Sequence, residues 1–590
     1  MRVVLTCLLL VGVAGTARAQ SGAPSRPAIG ETTAFVNVHT ITMIDEGVRR
    51  DQVVLVRNGR IVATGASNRI PVPSDAVVID GQGRYLVPGL VDAHVHLDGD
   101  GTRAGTSRGA FGDGPLYLAH GVTSVVNLRG LPVHLDWRRR VAAGDIVGPT
   151  IYTSGEFINE PRVHTPDDVR REVEAQAEAG YDLIKFHEVY SRDTGLLTTE
   201  GLSLDAYRQM NETARALGLP LVGHAPVNLG LEPILENQQP LAHLSALSHV
   251  YFLPVRNNMS WLGVTAAAFA VLTVIAITNG LASIVNRWKV LAPPPRAVSR
   301  VRELAGLQLL AAAGAAASAI LFLPGGPLFD SSAIRLVFTA LIVVMAAATT
   351  ALVFVMVRIW SEPDTSRPAR LQAVAACVAG IALAWAAVAF WVPAVWRSSD
   401  RGIEALAARI HAAGIPVQTT LVAYDAIGGP GRAALVEDPF IDYLRPDVQA
   451  RWRRLRAAAP RLRYTDFMKK VAGALHRAGV PLIAGTDAMG YPMVTPGSSL
   501  HRELELLVES GLTPLEAIRA ATVEPAQWLG REREFGRVAA GWRADLVLID
   551  GNPLEDIRRL RDPSGVMVRG RWLPRERIEQ MLNALVSGSE

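Results

Sequence analysis

Hydrophobic and polar positions follow three rhythms along the chain. The first is β-like and appears at both ends. Between residues 33 and 86, short Val- and Ile-rich runs alternate with turn residues. Residues 53–56 (Val-Val-Leu-Val) precede Asn58-Gly59, a hairpin signal, and residues 61–65 continue the run. Residues 536–572 have the same texture, with 544–550 (Ala-Asp-Leu-Val-Leu-Ile-Asp) reading as a strand. A small β-sandwich built from both chain ends is expected. The second rhythm alternates short apolar runs with helical periods, the pattern of repeated β-α units. It predicts strands at 88–97, 121–127, 150–154, 183–186, 221–225, 240–244, 416–421 and 481–488. Helices are predicted at 167–179, 403–413 and 466–478, the first closed by Gly180. Eight such strands predict an α/β fold with a (β/α)8 TIM-like barrel.

The third rhythm interrupts the second. Residues 261–284, 304–322, 336–357 and 371–392 are apolar runs of membrane-spanning length with almost no charge. A soluble barrel connection has no use for four such segments. They predict a four-helix transmembrane bundle inserted after the sixth barrel strand. The connection after the first run carries Arg287, Lys289, Arg296, Arg300 and Arg302, and that after the third carries Arg358, Arg367 and Arg370. Between the second and third runs stands only Arg335. Basic connections are normally cytoplasmic, so the barrel is expected on the extracytoplasmic (periplasmic) face. The start of the chain agrees. Arg2, an apolar run and Ala-Arg-Ala read as a secretory signal cut after Ala19, with a retained signal anchor as the alternative. The expected organisation is therefore signal 1–19, flexible tether 20–32, first sandwich half 33–86, barrel strands one to six 87–256, spanning helices 257–397, barrel strands seven and eight with C-terminal helices 398–533, and second sandwich half with tail 534–590.

Composition sharpens this picture at three points. A mean hydropathy of +0.21 is high for a soluble enzyme and points to buried or membrane-embedded helices. The two cysteines, Cys7 and Cys377, exclude a cysteine metal cluster. A net charge of +4 over 590 residues, with no basic stripe interleaved with aromatics, gives no argument for nucleic acid.

The chemistry concentrates at strand ends. In a strand, alternate side chains share a face, so His94 and His96 point together and can hold one metal ion. Lys185 lies inside a predicted buried strand; on sequence alone an ion-paired lysine is the ordinary reading. His224 and His243 close the fifth and sixth strands. Asp487, in Gly-Thr-Asp, ends the eighth; alone, that triplet is a common turn. Active sites of (β/α)8 barrels gather at the C-terminal strand ends. His501 opens a helix just beyond, where it could contact substrate, orient Asp487 or sit at the surface. His187 is a weaker position, either beside the site or at the surface.

The string Pro-Gly-Leu-Val-Asp-Ala-His-Val-His-Leu (88–97) resembles the first barrel strand of the metal-dependent amidohydrolase superfamily. Residues 512–518, 520–526, 541–547 and 551–554 resemble its imidazolonepropionase-like and prolidase-like (Xaa-Pro dipeptidase) branch. The resemblance implies two divalent metal ions, with zinc expected. His94, His96 and Asp487 would hold one and His224 and His243 the other. A carboxylated Lys185 and a hydroxide would bridge them. Asp487 would take a proton from the hydroxide and pass it to the leaving nitrogen. The implied reaction is cleavage of a C–N bond in an amide, dipeptide or cyclic amide, with a small-molecule or short-peptide substrate. Ester or phosphotriester hydrolysis on the same site is an alternative. A non-catalytic membrane receptor or accessory protein with an inactive barrel is another. Deaminases usually carry a His-x-x-Glu motif, which does not follow His224. The inserted bundle departs from the family pattern, where the connection is short. It makes a lipid bilayer the second expected partner and leaves association of copies into an oligomer open.

Overall fold

The computed structural model describes residues 31–100, 105–106, 111–188, 198–252, 259–289, 296–322, 331–363, 365–455 and 463–587. The expected signal and nearly all of the tether lie outside the described residues.

The chain ends meet in a single mixed sheet of eight strands. The N-terminal part supplies β1 (Thr32–Ile41), β2 (Val48–Arg57), β3 (Arg60–Ala66), β4 (Val77–Asp80) and β5 (Tyr85–Pro88). Eight barrel strands follow, and the C-terminal part returns with β14 (Leu546–Ile549), β15 (Pro563–Val568) and β16 (Arg571–Pro574). The order is β16-β15-β14-β5-β1-β2-β3, with β4 also paired to β1. The expected two-layer sandwich thus takes the form of one continuous ladder. Its reason is the length of β1, which pairs with β2 along one edge and with β4 and then β5 along the other. The two halves bury a shared core: Phe35, Val54 and Leu86 from one end meet Leu546, Leu548 and Met567 from the other. Hydrophobic closure across nearly the whole sequence fixes where the barrel begins and ends.

The barrel consists of β6 (Leu90–Val95), β7 (Val122–Asn127), β8 (Thr150–Thr153), β9 (Ile184–Phe186), β10 (Leu221–Gly223), β11 (Leu241–Ala242), β12 (Val417–Gln418) and β13 (Leu482–Ile483). All pair in parallel, in the runs β6-β7-β8 and β9-β10-β11-β12-β13. Two parallel bridges, Ser154 with Leu183 and Val95 with Ala488, join the runs into a ring of eight. β11 and β12 pair in register (Leu241 with Val417, Ala242 with Gln418) although the whole insertion lies between them. The strands are shorter than the sequence predicts because His243, Thr420 and Asp487 take left-handed backbone angles (φ 69°, 47° and 62°) that leave the ladder.

The insertion forms four helices, α1 (Met259–Lys289), α2 (Arg296–Phe322), α3 (Ser332–Ser361) and α4 (Arg367–Ala386), long and apolar enough to cross a membrane. α4 runs on through a wider π turn at Ala387–Trp391 to Arg397. Small residues let the backbones approach: Ala305, Ala311, Ala312, Ala373, Ala376 and Ala379 share the bundle core. Gln308 is fully buried there and donates to the Thr349 hydroxyl at 2.6 Å.

Candidate metal centre

At the C-terminal rim of the barrel four side chains converge. His96 Nε2 lies 2.9 Å from Asp487 Oδ1, His94 Nε2 3.7 Å from the same oxygen, and His243 Nε2 3.8 Å from Asp487 Oδ2. One donor atom from each of His94, His243 and Asp487 lies within 4.8 Å of the others. The His94 and His243 rings stand 4.3 Å apart, and those of His224 and His243 4.8 Å. The structure therefore brings the expected histidines from β6, β10 and β11 to one place. Lys185, fully buried in β9 opposite Val222 of β10, completes the set, and its Nζ has no hydrogen-bond partner.

The residues behind this cluster decide which nitrogen each ring presents. His94 Nδ1 is 2.9 Å from Gln418 Oε1, while Gln418 Nε2 donates to the Ala93 carbonyl at 2.9 Å. The second bond fixes the amide, so the first is N–H donated by His94. Its Nε2 is then a bare lone pair, buried and without a hydrogen-bond partner. His243 Nδ1 meets Thr420 Oγ1 at 2.8 Å and likewise turns Nε2 toward Asp487. Asp92 pins the two strand ends together. It accepts from the Thr486 hydroxyl at 2.6 Å and from the amides of Thr486 and His94 at 3.0 and 3.3 Å. Gly485 precedes them because a Cβ there would sit 2.6 Å from His94 Cβ. Gln418, Thr420 and Asp92 received no role from the sequence. Gln418 and Thr420 act on rings far away in the chain, which no local pattern reveals.

The electrostatics suit a cation that is not a proton. Burial, then the charges of His243 and Lys185, hold His94 well below the usual imidazole range. Burial, then His187 and Lys185, does the same to His224. Burial takes His243 down to about 3 against the pull of Asp487. These imidazoles are neutral, as metal ligands must be. Burial also pulls Lys185 down to about 7, with Asp487 opposing. Bare imidazole nitrogens facing a carboxylate make a donor set that fits a divalent transition-metal ion.

The two remaining positions separate. His187 stacks on Phe157 at 4.7 Å and lies 3.9 Å, ring to ring, from His224, at the margin of the cluster. His501 is buried, which removes the surface reading. It starts the second turn of a helix at Ser498–Glu509, and its Nε2 lies 3.1 Å from the His120 carbonyl oxygen, with the His120 ring 5.4 Å away. Burial and the neighbouring His120 hold it well below the ordinary value.

Residues 447–573 match the amidohydrolase family. Parts of the chain resemble curated proteins. Ochratoxinase of Aspergillus niger is 36% identical over 121 residues, covering 20% of this chain and 23% of that protein. Imidazolonepropionase of Stenotrophomonas maltophilia is 46% identical over 79 residues, covering 12% and 18%. The chain thus spans about a quarter or less of the curated relatives it matches. Solved structures extend the likeness in fold to nearly the whole chain. Bottromycin amidohydrolase gives a TM-score of 0.54 at 20% identity, covering 94% of this chain and 90% of that one. A Xaa-Pro dipeptidase with bound methionine in the active site gives 0.51 at 14%, covering 92% and 100%. At those identities the likeness is one of fold.

Proposed function

We propose that the chain is a metal-dependent amidohydrolase that cleaves a C–N bond of a small molecule or short peptide. The observation that carries the reading is the pair of imidazole Nε2 atoms, on His94 and His243, aimed at Asp487 beside a buried lysine. His94, His96 and Asp487 would hold one ion, and His224 and His243 a second. Divalent ions in these positions, zinc above all, lower the pKa of water and polarise a carbonyl.

The chain's own groups supply the remaining chemistry. Lys185 is held low enough that its amine is available neutral, the form that adds to carbon dioxide. Addition forms the N–C bond of a carbamate and releases the amine proton to solvent. A buried basic donor becomes an anionic oxygen donor between the two histidine sets. Asp487 accepts the proton of the attacking water at its carboxylate and delivers it to the departing nitrogen. His96 Nε2, 2.9 Å from Oδ1, would share an ion with that carboxylate. The products are a carboxylic acid and an amine.

The four apolar helices anchor the enzyme in a membrane, with the catalytic domain on the extracytoplasmic side. The basic loops after α1 and α3 support that topology. The test is amine release by zinc-loaded, detergent-solubilised protein from a panel of Xaa-Pro dipeptides, cyclic amides and N-acyl amino acids. Release that stops on chelation and returns with zinc is expected. Chelator-sensitive cleavage of esters or phosphotriesters alone would move the reading to those substrates, and no cleavage at all would favour a non-catalytic membrane protein.

A further inference from the structure

The spanning helices join the barrel at one rim only. The insertion leaves just after β11, through a helical segment at Ser245–Leu247 and Ser248–Phe252. It returns directly into a barrel helix at Asp400–Ala412, which leads to β12. In a β-α-β unit the helix starts near the C-terminal end of one strand and runs back to the start of the next. Both attachment points therefore lie on the C-terminal rim, where His94, His96, His243 and Asp487 gather. The join is short and tied. Only Ser398 and Ser399 separate Arg397 from the barrel helix, and the Ser399 hydroxyl accepts from the Gly402 amide. Tyr251 donates to the Gly402 carbonyl at 3.0 Å, and Arg397 donates to the Tyr251 carbonyl at 3.3 Å.

The helices also mark their own membrane boundaries. The Arg335 guanidinium lies 5.3 Å from the Trp396 ring and 5.8 Å from that of Phe322. At the other end of α3, Arg370 lies 5.8 Å from the Trp360 ring. Along α3, Arg335 and Trp360 are about 37 Å apart at the α-helical rise of 1.5 Å per residue. That matches a hydrocarbon core with aromatic belts at both edges. Trp396 belongs to the barrel-side belt, and the barrel helix starts four residues on, at Asp400, across the two-residue join. The catalytic rim thus begins at the interface.

A third observation concerns the barrel surface. Ile427 (41% exposed), Leu455 (39%) and Tyr491 (37%) are large exposed apolar side chains in the connections that leave the C-terminal ends of β12 and β13. At the opposite rim, the described barrel residues show one exposed residue of this kind, Leu217, at the end of the helix before β10.

We infer that the catalytic mouth faces the bilayer surface and takes its substrate from it. The substrate is an amphiphilic amide, an N-acylated amino acid or short peptide, with its scissile bond at headgroup depth and its acyl chain in the lipid. Hydrolysis adds water across the amide, breaks the C–N bond and leaves a fatty acid in the membrane while the amine enters water. The inference rests on the hydrolase reading, and its test has one readout that does not depend on turnover.

The full-length protein, with Cys7 and Cys377 replaced by alanine, is placed in lipid nanodiscs. It carries Ile427→Cys or Leu217→Cys labelled with a fluorophore, and the lipid carries a nitroxide on its headgroup. Quenching at position 427 and none at 217 is expected; equal quenching, or none at 427, overturns the orientation. In parallel, N-acetyl- and N-dodecanoyl-amino acids are compared as substrates in the same nanodiscs. At least a tenfold gain in amine release with the longer chain is expected, because added methylenes concentrate an amphiphile in the bilayer. Equal turnover of the two overturns the substrate class, as does cleavage of neither. The hydrolase reading fails separately, through the soluble panel and its zinc dependence.

Discussion

In the barrel, Lys185 is 0% exposed, ringed by imidazoles; in the inserted bundle, Leu310, Phe354 and Leu371 are 72%, 74% and 70% exposed. Burying an amine costs several kcal/mol unless a specific use offsets it, and a contiguous apolar exterior in water drives association. The difference separates two kinds of polar economy. The barrel gathers buried polar groups into one converging cluster, with the His94 and His243 rings held by Gln418 and Thr420. The bundle keeps few polar side chains and pairs some of them from helix to helix, as Gln308 Nε2 with Thr349 and Gln372 with Asn279. Under the proposed membrane anchoring, its outer surface would be solvated by lipid.

The comparison breaks most sharply at Asp487. Asp487→Asn keeps the shape of the side chain but cannot accept the proton. Turnover is expected to fall about a thousandfold with the circular dichroism spectrum unchanged; near-normal turnover would remove Asp487 from the proton path. Gln418→Leu tests the supporting bonds. It removes the acceptor that holds His94 Nδ1–H. Metal affinity is expected to drop by about ten- to a hundredfold, read by competition with a chromophoric chelator. An unchanged affinity would mean that His94 is oriented by something else.

Smaller effects separate burial in the barrel from burial in the bundle. Two more helices follow barrel strands, α5 (Leu421–Gly428) after β12 and α6 (Ser498–Glu509) after β13. Glu503 of α6 accepts from the Thr419 hydroxyl and, at 2.7 Å, from the Val422 amide in α5. Burial raises its pKa from 4.5 to about 7. A carboxyl raised in the folded state gives its full stability below the unfolded value, and that stability is lost as pH rises through 7. The melting temperature should therefore fall between pH 5 and pH 8. Glu503→Gln should remove a share of that fall, on the order of a few degrees; identical pH profiles would contradict the assignment. In the bundle, Gln308→Leu is expected to cost only about 0.6 kcal/mol in a denaturation titration in detergent micelles. A loss of several kcal/mol would make Gln308 as critical as the barrel's polar groups.

The chain order of strands was readable because each β-α unit repeats the same change of period, and the four apolar runs were readable by length. His94 and His96 announced themselves by their spacing and by the string around them. Lys185 was harder: its burial is a property of the closed ring, and a lysine in a short strand reads first as ion-paired. Gln418 and Thr420 left no trace, since their partners His94 and His243 lie across the insertion or at the other end of the barrel. His501 read as a substrate contact, a positioning residue or a surface helix start because no local pattern places it against His120. The merged sheet was hidden for a related reason. Only folding reveals that one long strand, β1, serves three partners.

Lys185 and the histidines are proposed to form one shared metal centre. The most direct test is the metal content of the purified, detergent-solubilised protein beside Lys185→Ala, measured by elemental analysis with intact mass. A shared centre predicts two divalent ions per chain, a carbon dioxide adduct on Lys185, and loss of metal in the variant. A single ion unaffected by the substitution, or no metal after reconstitution, would contradict it.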